Sequence, residues 1–120
     1  MIIDTSSILF SISNKKDIFA AAENSFPGTT IIISKGIMRE ISRHAKGRGK
    51  IAGPAGFAVL IIGQKTGLHI EKDAGYVDAW IVREWRKRHC IVCTNDRKLK
   101  KELSDEGAHV VSFTRAGTFR

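Results

Sequence analysis

Short apolar runs rich in isoleucine and valine alternate along the chain with longer segments in which apolar residues recur every three or four positions. The short runs predict strands that are buried on both faces, as in parallel sheets, and the longer segments predict amphipathic helices. The predicted strands cover residues 1–4, 29–33, 68–71, 91–94 and 109–113, and the predicted helices cover 17–25, 34–45, 51–65, 76–88 and 97–106. This alternation is typical of an α/β fold with a mainly parallel sheet.

Nothing in the pattern divides the chain into separate units. Its 120 residues suit one ordinary domain, predicted to cover residues 1–120, without repeats, low-complexity runs or linkers. A basic loop at residues 46–50 contains glycines but matches none of the motifs that bind nucleotide phosphates. The longest stretch without polar side chains, residues 51–63, is shorter than the roughly 20 apolar residues that span a bilayer, so no membrane partner is expected. We expect this stretch in the core, with a homodimer interface as the alternative.

Two cysteines, Cys90 and Cys93, are too few for a disulfide scaffold. The residues between them are predicted strand, on which side chains three positions apart point to opposite faces. We therefore expect neither a shared metal ion nor a disulfide, but two buried thiols in a reducing compartment. The N-terminus lacks the basic start and the cleavage site of a secretion signal, which also favours a cytoplasmic protein.

Four acidic residues, distant in sequence, are predicted to meet at one edge of the sheet. Asp4 ends the first strand and Asp96 follows the fourth by two residues, while Glu40 and Asp78 lie in the first two turns of helices that leave the second and third strands. The carboxyl ends of parallel strands share one edge, where the chemistry of open α/β sheets gathers. Clustered carboxylates repel one another, and Mg²⁺ or Mn²⁺ would relieve that repulsion. The pattern therefore predicts a metal site.

Each acid also has a purely structural interpretation. Asp4 suits a turn after a strand, and Asp96 suits the N-cap of the next helix. Glu40 suits a helix surface, paired with His44, and Asp78 suits a first helical turn, where the dipole favours acids. Asp78 shares its predicted helix face with apolar residues three, four and seven positions further on, and a carboxylate there needs a partner. That placement and the common edge favour a shared site.

The charge of the chain points to a polyanionic partner. Twenty lysines and arginines against twelve acidic residues give a formal net charge of +8, which favours nucleic acid. Thirteen of the twenty basic residues fall within residues 39–50 and 83–101, which flank three of the acids, and a metal-dependent nuclease needs such phosphate-binding groups around its acidic site. The residues predicted to bind the nucleic acid are Arg39, Arg43, Lys46, Arg48, Lys50, Arg83, Arg86, Lys87, Arg97 and Lys98.

Four segments of the sequence resemble the PIN-domain ribonucleases in order and spacing: residues 1–6, 36–41, 77–82 and 93–99. The likeness covers almost the whole chain, and the Thr-Asn-Asp-Arg run that starts at Thr94 is its most specific part. Within this superfamily, the basic loop at 46–50 and the segments 75–78 and 94–99 look most like the PIN endonuclease of the small-subunit processome and its short archaeal relatives.

The resemblance implies a three-layer α/β/α sandwich and cleavage of RNA, with precursor ribosomal RNA as the partner and one or two Mg²⁺ or Mn²⁺ ions as the cofactor. The implied catalytic metal ligands are Asp4, Glu40, Asp78 and Asp96. The residues implied to orient carboxylates and water around them are Ser6, Thr94 and Asn95.

Three alternatives stand beside an endonuclease that processes ribosomal RNA. The similar toxin branch of PIN proteins shares the same catalytic residues, and a member of it would have an antitoxin partner. A non-catalytic RNA-binding module of ribosome assembly would keep the basic surface, although the complete set of acids argues against it. A pure protein-interaction domain would leave the net charge of +8 unexplained.

Overall fold

A five-stranded parallel sheet lies at the centre of the protein, in the strand order β3-β2-β1-β4-β5. The structure is a computed structural model, and it describes residues 1–65, 67–72 and 75–120. The strands in these ranges are β1 (Ile2–Ile3), β2 (Ile31–Ser34), β3 (Leu68–Glu71), β4 (Val92–Cys93) and β5 (Val110–Val111). The helices in the same ranges are α1 (Thr5–Ser13), α2 (Ile18–Ser25), α3 (Lys35–Lys46), α4 (Ala52–Gln64), α5 (Val77–Arg88) and α6 (Arg97–Asp105).

The central strands are buried on both faces because helices cover each side of the sheet. In the middle strand, Ile2 lies opposite Ile32 of β2 on one side and Val92 of β4 on the other. All three side chains are buried, which explains why these strands contain almost no polar residues. The predicted α/β/α sandwich with a parallel sheet is confirmed.

Helix α3 begins directly where β2 ends, and its first turn is fixed by a side-chain cap. The hydroxyl of Ser34 accepts a hydrogen bond from the backbone N–H of Ile37 at 3.0 Å, as the sequence predicts. Ile37 and Ile41 are fully buried, and α3 packs against α4 and α1. This packing fixes the rotation of α3 about its axis and therefore the direction of Glu40.

Helix α1 was not expected from the sequence pattern. It buries Ile8, Leu9 and Ile12, but it also buries Ser7 and Ser11, whose hydroxyls are hydrogen bonded. Serines on the core-facing side interrupt the apolar periodicity that indicates a helix, so residues 5–13 carried no signal. The last predicted strand is also shorter than expected, and Phe113 beyond it forms an antiparallel bridge with Phe119.

Only one side of α4 belongs to the core. Ala55, Ala58 and Ile62 are buried, whereas Phe57 and Leu60 are 57% and 62% exposed. The expectation that residues 51–63 form core is therefore wrong for the outer side of this helix. Within the described ranges, no helix combines the length and the apolar character needed to cross a membrane.

The two cysteines differ in burial. Cys93 lies on β4 and is buried, which raises the pKa of its thiol to about 12, whereas Cys90 is half-buried in the connection before that strand. The expectation of two buried thiols therefore holds for Cys93 and is wrong for Cys90, which lies just outside the sheet. Both thiols are free, so the C-x-x-C spacing forms no disulfide.

Candidate active site

The carboxyl edge of the sheet brings together the four acids from distant parts of the chain. Asp4 directly follows β1, and its backbone N–H donates to the Cys93 carbonyl at the end of β4 at 2.9 Å. Glu40 lies in the second turn of α3, Asp78 is the second residue of α5, and Asp96 immediately precedes α6. We call this edge, with these four carboxylates, the acidic edge.

Asp4 is the buried centre of the acidic edge. Its Oδ2 atom accepts hydrogen bonds from the hydroxyls of Ser6 and Thr94, both at 2.8 Å. Burial raises the pKa of Asp4 above its ordinary value, these two hydrogen bonds lower it, and the nearby charge of Glu40 raises it again. The balance is upward, so the folded protein holds this carboxylate at an electrostatic cost.

Asp78 is the solvent-exposed member of the site, and the charges of the other acids act on its carboxyl. Partial desolvation raises the pKa of its carboxyl, and the charges of Asp4, Asp96 and Glu40 raise it further, followed by that of Glu102. The four predicted acids therefore interact electrostatically. Glu102, on α6, is an additional acid that sequence reasoning missed, because no motif or strand end marks it.

Asp78 lies in line with the apolar face of α5, as predicted, but it is not buried there. Ile81, Val82 and Trp85 are buried, as that face requires, but Asp78 itself is exposed. The residue lies in the first turn of the helix, where no preceding turn covers it. Its carboxylate is therefore available to a ligand rather than buried in the core.

Asp96 serves as a helix cap and as part of the acidic edge at once. Its Oδ1 atom accepts hydrogen bonds from the backbone N–H groups of Lys98 and Leu99, at 2.9 and 3.2 Å. The capping interpretation is thus confirmed. The cap uses only the Oδ1 atom of Asp96, and the position of the helix then fixes the direction of the Oδ2 atom. The backbone N–H of Asp96 donates to the Thr94 hydroxyl at 3.1 Å, which links Asp96 to Asp4 through one side chain.

The residues implied to support the acids divide into two groups. Ser6 and Thr94 contact the Asp4 carboxylate, as expected. The side chain of Asn95 instead accepts from the Ser7 hydroxyl at 2.6 Å and exchanges two hydrogen bonds with the backbone of Phe113. The side chain of Asn95 thus holds the loop after β4 against α1 and the C-terminal segment, while its backbone N–H donates to the Ser6 hydroxyl at 3.0 Å and so supports Asp4 indirectly.

Some of the predicted basic residues lie beside the acids. Arg39 and Arg43 on α3 line, together with Glu40 and Tyr76, a cavity of about 160 Å³ between α3 and the start of α5, which we call the α3–α5 groove. Lys46 extends the same basic surface of α3. The exposed residues of the following loop and of the first turn of α6 are Arg48, Lys50, Arg97 and Lys98.

Other predicted basic residues lie away from the acids. Arg86 and Lys87 occupy the last turn of α5, whose first turn carries Asp78, and Arg83 is exposed between these two turns. Arg86 makes two hydrogen bonds with Glu106, at 2.8 and 3.1 Å, and Lys87 lies 3.6 Å from Glu84. Arg86 and Lys87, which the sequence predicts to bind the nucleic acid, lie at the opposite end of the helix from Asp78 and form ion pairs with Glu106 and Glu84.

The acidic edge fits a hard divalent cation by the chemistry of its donors. Burial, followed by the charges of neighbouring carboxylates, raises the pKa values of Asp4 and Asp78, and in the described part of the chain the side chains that donate to the Asp4 carboxylate are those of Ser6 and Thr94. In the described ranges no three Asp, Glu, His or Cys side chains converge on a single point. Asp4, Glu40, Asp78 and Asp96 supply the oxygen donors that such a cation prefers, and binding one would require their side chains to move closer together.

The fold is a parallel α/β/α sandwich, and basic residues lie beside its acidic edge. Together these features indicate the class of domain to which the protein belongs. The family model of the PIN-like domain matches residues 1–115, and the chain belongs to this family. Among solved structures, the chain is similar to that of the PIN domain endonuclease Utp24, with a TM-score of 0.78 and 24% sequence identity over 99% of this chain and 89% of that chain. This likeness shows the same fold. No curated protein sequence gave a match.

Proposed function

We propose that this PIN-like domain is a metal-dependent endoribonuclease that hydrolyses phosphodiester bonds in precursor ribosomal RNA. One observation carries the proposal above all others. The buried carboxylate of Asp4 is oriented by two hydroxyl groups and has its pKa raised by burial and by the charge of Glu40. A buried acid that meets further acids instead of a basic partner is costly for a purely structural role and useful for holding a cation.

The side chains of the acidic edge divide the work of such an enzyme. A bound Mg²⁺ or Mn²⁺ ion lowers the pKa of water and neutralises charge that develops on the phosphate. Asp4, Glu40, Asp78 and Asp96 would hold the ion, and Ser6 and Thr94 keep the Asp4 carboxylate in one orientation.

The basic groups of the α3–α5 groove would bind the phosphates on either side of the cleaved bond. Arg39 and Arg43 line the same cavity as Glu40, so phosphate-binding and ion-binding groups are adjacent. Contacts to phosphates position a nucleic acid without reading its sequence. The choice of precursor ribosomal RNA follows from the resemblance of the sequence motifs to the rRNA-processing PIN endonucleases, and the similarity to the PIN domain endonuclease Utp24 supports the nuclease assignment.

The test is a cleavage assay on structured RNA with Mn²⁺, using Asp78→Asn and the matched control Asp105→Asn. Asp78 is exposed at the acidic edge, so Asp78→Asn should abolish cleavage while leaving the protein folded. Asp105 is also an exposed helical aspartate, but it pairs with Lys101 at 2.8 Å at the end of α6, and its substitution should leave cleavage unchanged.

Melting curves with and without Mn²⁺ complete this test. A ligand that binds only the folded state raises the melting temperature, so Mn²⁺ should stabilise the wild-type protein and Asp105→Asn but not Asp78→Asn. Full activity of Asp78→Asn would exclude the proposed site. Tight RNA binding by a wild-type protein that cleaves nothing would identify a non-catalytic RNA-binding module instead.

A further inference from the structure

Tyr76 is the most exposed large apolar side chain recorded in the described ranges, and it lies at the acidic edge. It is 87% exposed, although it immediately precedes α5 and is only two residues from Asp78. Its backbone is nevertheless fixed, because its carbonyl accepts a hydrogen bond from the backbone N–H of Trp80 at 3.0 Å. The aromatic ring of Tyr76 is thus exposed to solvent at the start of α5.

The turn before Tyr76 requires a glycine. Gly75 has a φ angle of +84°, which side-chain-bearing residues rarely adopt. This conformation bends the chain immediately before α5, and both Gly75 and Tyr76 line the α3–α5 groove opposite Arg39 and Arg43. The groove therefore combines an exposed aromatic ring with arginines.

Exposed aromatic rings next to basic grooves are the recurrent means by which proteins bind single-stranded nucleic acid. The arginines hold phosphates, and a base stacks on the ring, which contributes about 1–3 kcal/mol per base. A base in a duplex is already stacked and paired, so only an unpaired nucleotide can use the ring. We propose that Tyr76 stacks an unpaired RNA base in the α3–α5 groove and thereby places the nucleotide beside the acidic edge.

Tyr76 lies close to the acids that would cleave RNA, and this link to cleavage rests on the proposed function. The Cα atoms of Tyr76 and Asp78 are at most about 7 Å apart, since two residues of chain separate them. Because Tyr76 also lines the groove with Glu40, a nucleotide whose base stacks on Tyr76 would lie beside the acidic edge. The ring acts as a binding residue through its aromatic face, not through its hydroxyl.

The experiment uses a single-stranded RNA oligonucleotide in which one adenine at a time is replaced by fluorescent 2-aminopurine, together with the same strands annealed to their complement. Binding is measured in EDTA, so that the strand stays intact. The variants are Tyr76→Ala, Tyr76→Phe and the matched control Phe57→Ala. Phe57 is another exposed aromatic residue, but it lies beside Lys15 and Asp17, just after the C-terminal end of α1. Asp4 lies at the other end of that helix.

For the wild-type protein we expect 2-aminopurine to be quenched when the protein binds the single strand. Tyr76→Ala should lose this quenching and bind the single strand about 10-fold more weakly, with duplex binding unchanged. Tyr76→Phe and Phe57→Ala should behave like the wild type. Melting temperatures should agree among all four proteins, because the removed rings are largely in solvent.

Two results would overturn the inference. Equal binding and equal quenching by wild type and Tyr76→Ala would show that no base stacks on the ring, and a loss of binding in Tyr76→Phe as large as in Tyr76→Ala would show that the hydroxyl acts instead. A cleavage assay of the wild type with Mn²⁺ separates this from failure of the proposed function. If the wild type cleaves RNA but Tyr76→Ala binds and quenches like the wild type, the proposed function stands and the base site is excluded. If the wild type quenches 2-aminopurine but cleaves no RNA, the base site stands and the nuclease function is excluded.

Discussion

The Asp4 carboxylate is surrounded by hydroxyl donors rather than by basic side chains. Ser6 and Thr94 both donate to its Oδ2 atom, and Thr94 also accepts from the backbone N–H of Asp96. Hydroxyl groups fix the orientation of a carboxylate without neutralising its charge. The arrangement therefore keeps Asp4 available to a cation, which an arginine in the same place would not.

Removing the Thr94 hydroxyl should weaken both the fold and the site. Thr94→Val leaves the Asp4 carboxylate with one hydroxyl donor fewer and the Asp96 N–H without an acceptor, so we expect a loss of about 1–3 kcal/mol in the free energy of unfolding. Cleavage should fall by about 10- to 100-fold, the usual range for residues that orient metal ligands. Thr94→Ser keeps the hydroxyl and should restore most of the activity. Urea unfolding and initial cleavage rates measure both effects.

The raised pKa of Asp4 predicts how the metal-free protein responds to pH. An acid whose pKa is higher in the folded than in the unfolded state binds protons more tightly when folded. Its contribution to the free energy of unfolding therefore falls as the pH rises from its ordinary pKa of 3.8 through the raised value, and it stays low above that value. Unfolding in EDTA should show that Asp4→Asn becomes more stable relative to wild type as the pH increases. A difference between the two proteins that does not change with pH would contradict this assignment.

The two cysteines provide a further check on the structure. The buried Cys93 thiol, with its pKa of about 12, should resist alkylation near neutral pH, while the half-buried Cys90 should react. Mass spectrometry should therefore find one modified cysteine in the folded protein and two after unfolding. Fast modification of both thiols in the folded protein would show that β4 is not buried as described.

At the scale of elements, the two ends of α5 differ in what they can do. The first turn carries Asp78 at the acidic edge, whereas the last turn carries Arg86 and Lys87 in ion pairs. Eight residues of helix separate Asp78 from Arg86, which is about 12 Å along the axis. Charge counted along the sequence does not distinguish these two ends, so it predicts contacts with nucleic acid at both.

A pair of arginine substitutions tests this distinction between elements. Arg43 lines the α3–α5 groove, and Arg86 pairs with Glu106 at the C-terminal ends of α5 and α6. Arg43→Ala should weaken RNA binding by about 5- to 10-fold, the loss of roughly one phosphate contact in moderate salt, and Arg86→Ala should change it much less. Fluorescence anisotropy with a labelled single strand measures both variants. Equal losses of RNA affinity in Arg43→Ala and Arg86→Ala would show that RNA also contacts the C-terminal end of α5.

The elements also show what the sequence pattern could predict and where it failed. Strands such as β1 and β2 were recognisable because they are buried on both faces and contain almost only apolar residues. Helix α1 was not, because Ser7 and Ser11 occupy buried positions through hydrogen bonds to Asn95 and to the Ile8 carbonyl. Those partners lie either in distant sequence or in the backbone, and hydrophobic periodicity records neither.

The candidate site was likewise predictable where it depends on the strand topology and not where it depends on contacts between distant segments. The common edge of the four acids is a consequence of parallel strand topology, which the alternation of elements predicts. The exposure of Asp78 and the role of Asn95 depend on the position of a helix end and of the segment around Phe113, which no local pattern specifies.

At the scale of the whole molecule, the net charge of +8 predicts binding that depends strongly on salt. Each phosphate contact releases counterions, so the logarithm of the RNA association constant should fall with the logarithm of salt concentration, by a slope of about 0.7 per contact for a single strand. Titrations at several salt concentrations measure this slope, and Arg43→Ala should reduce its magnitude by about 0.7. A flat dependence would contradict electrostatic binding.

The place of β1 has a consequence for how the protein is made. It is the first strand of the chain and also the middle strand of the sheet, paired with β2 and β4. Asp4 precedes its hydrogen-bond partner Thr94 by 90 residues, and Asp96 follows Thr94. A nascent chain therefore has no acidic edge until Asp96 has been synthesised and β4 has paired with β1. Under the proposed function, a shorter nascent chain would be unable to cleave RNA.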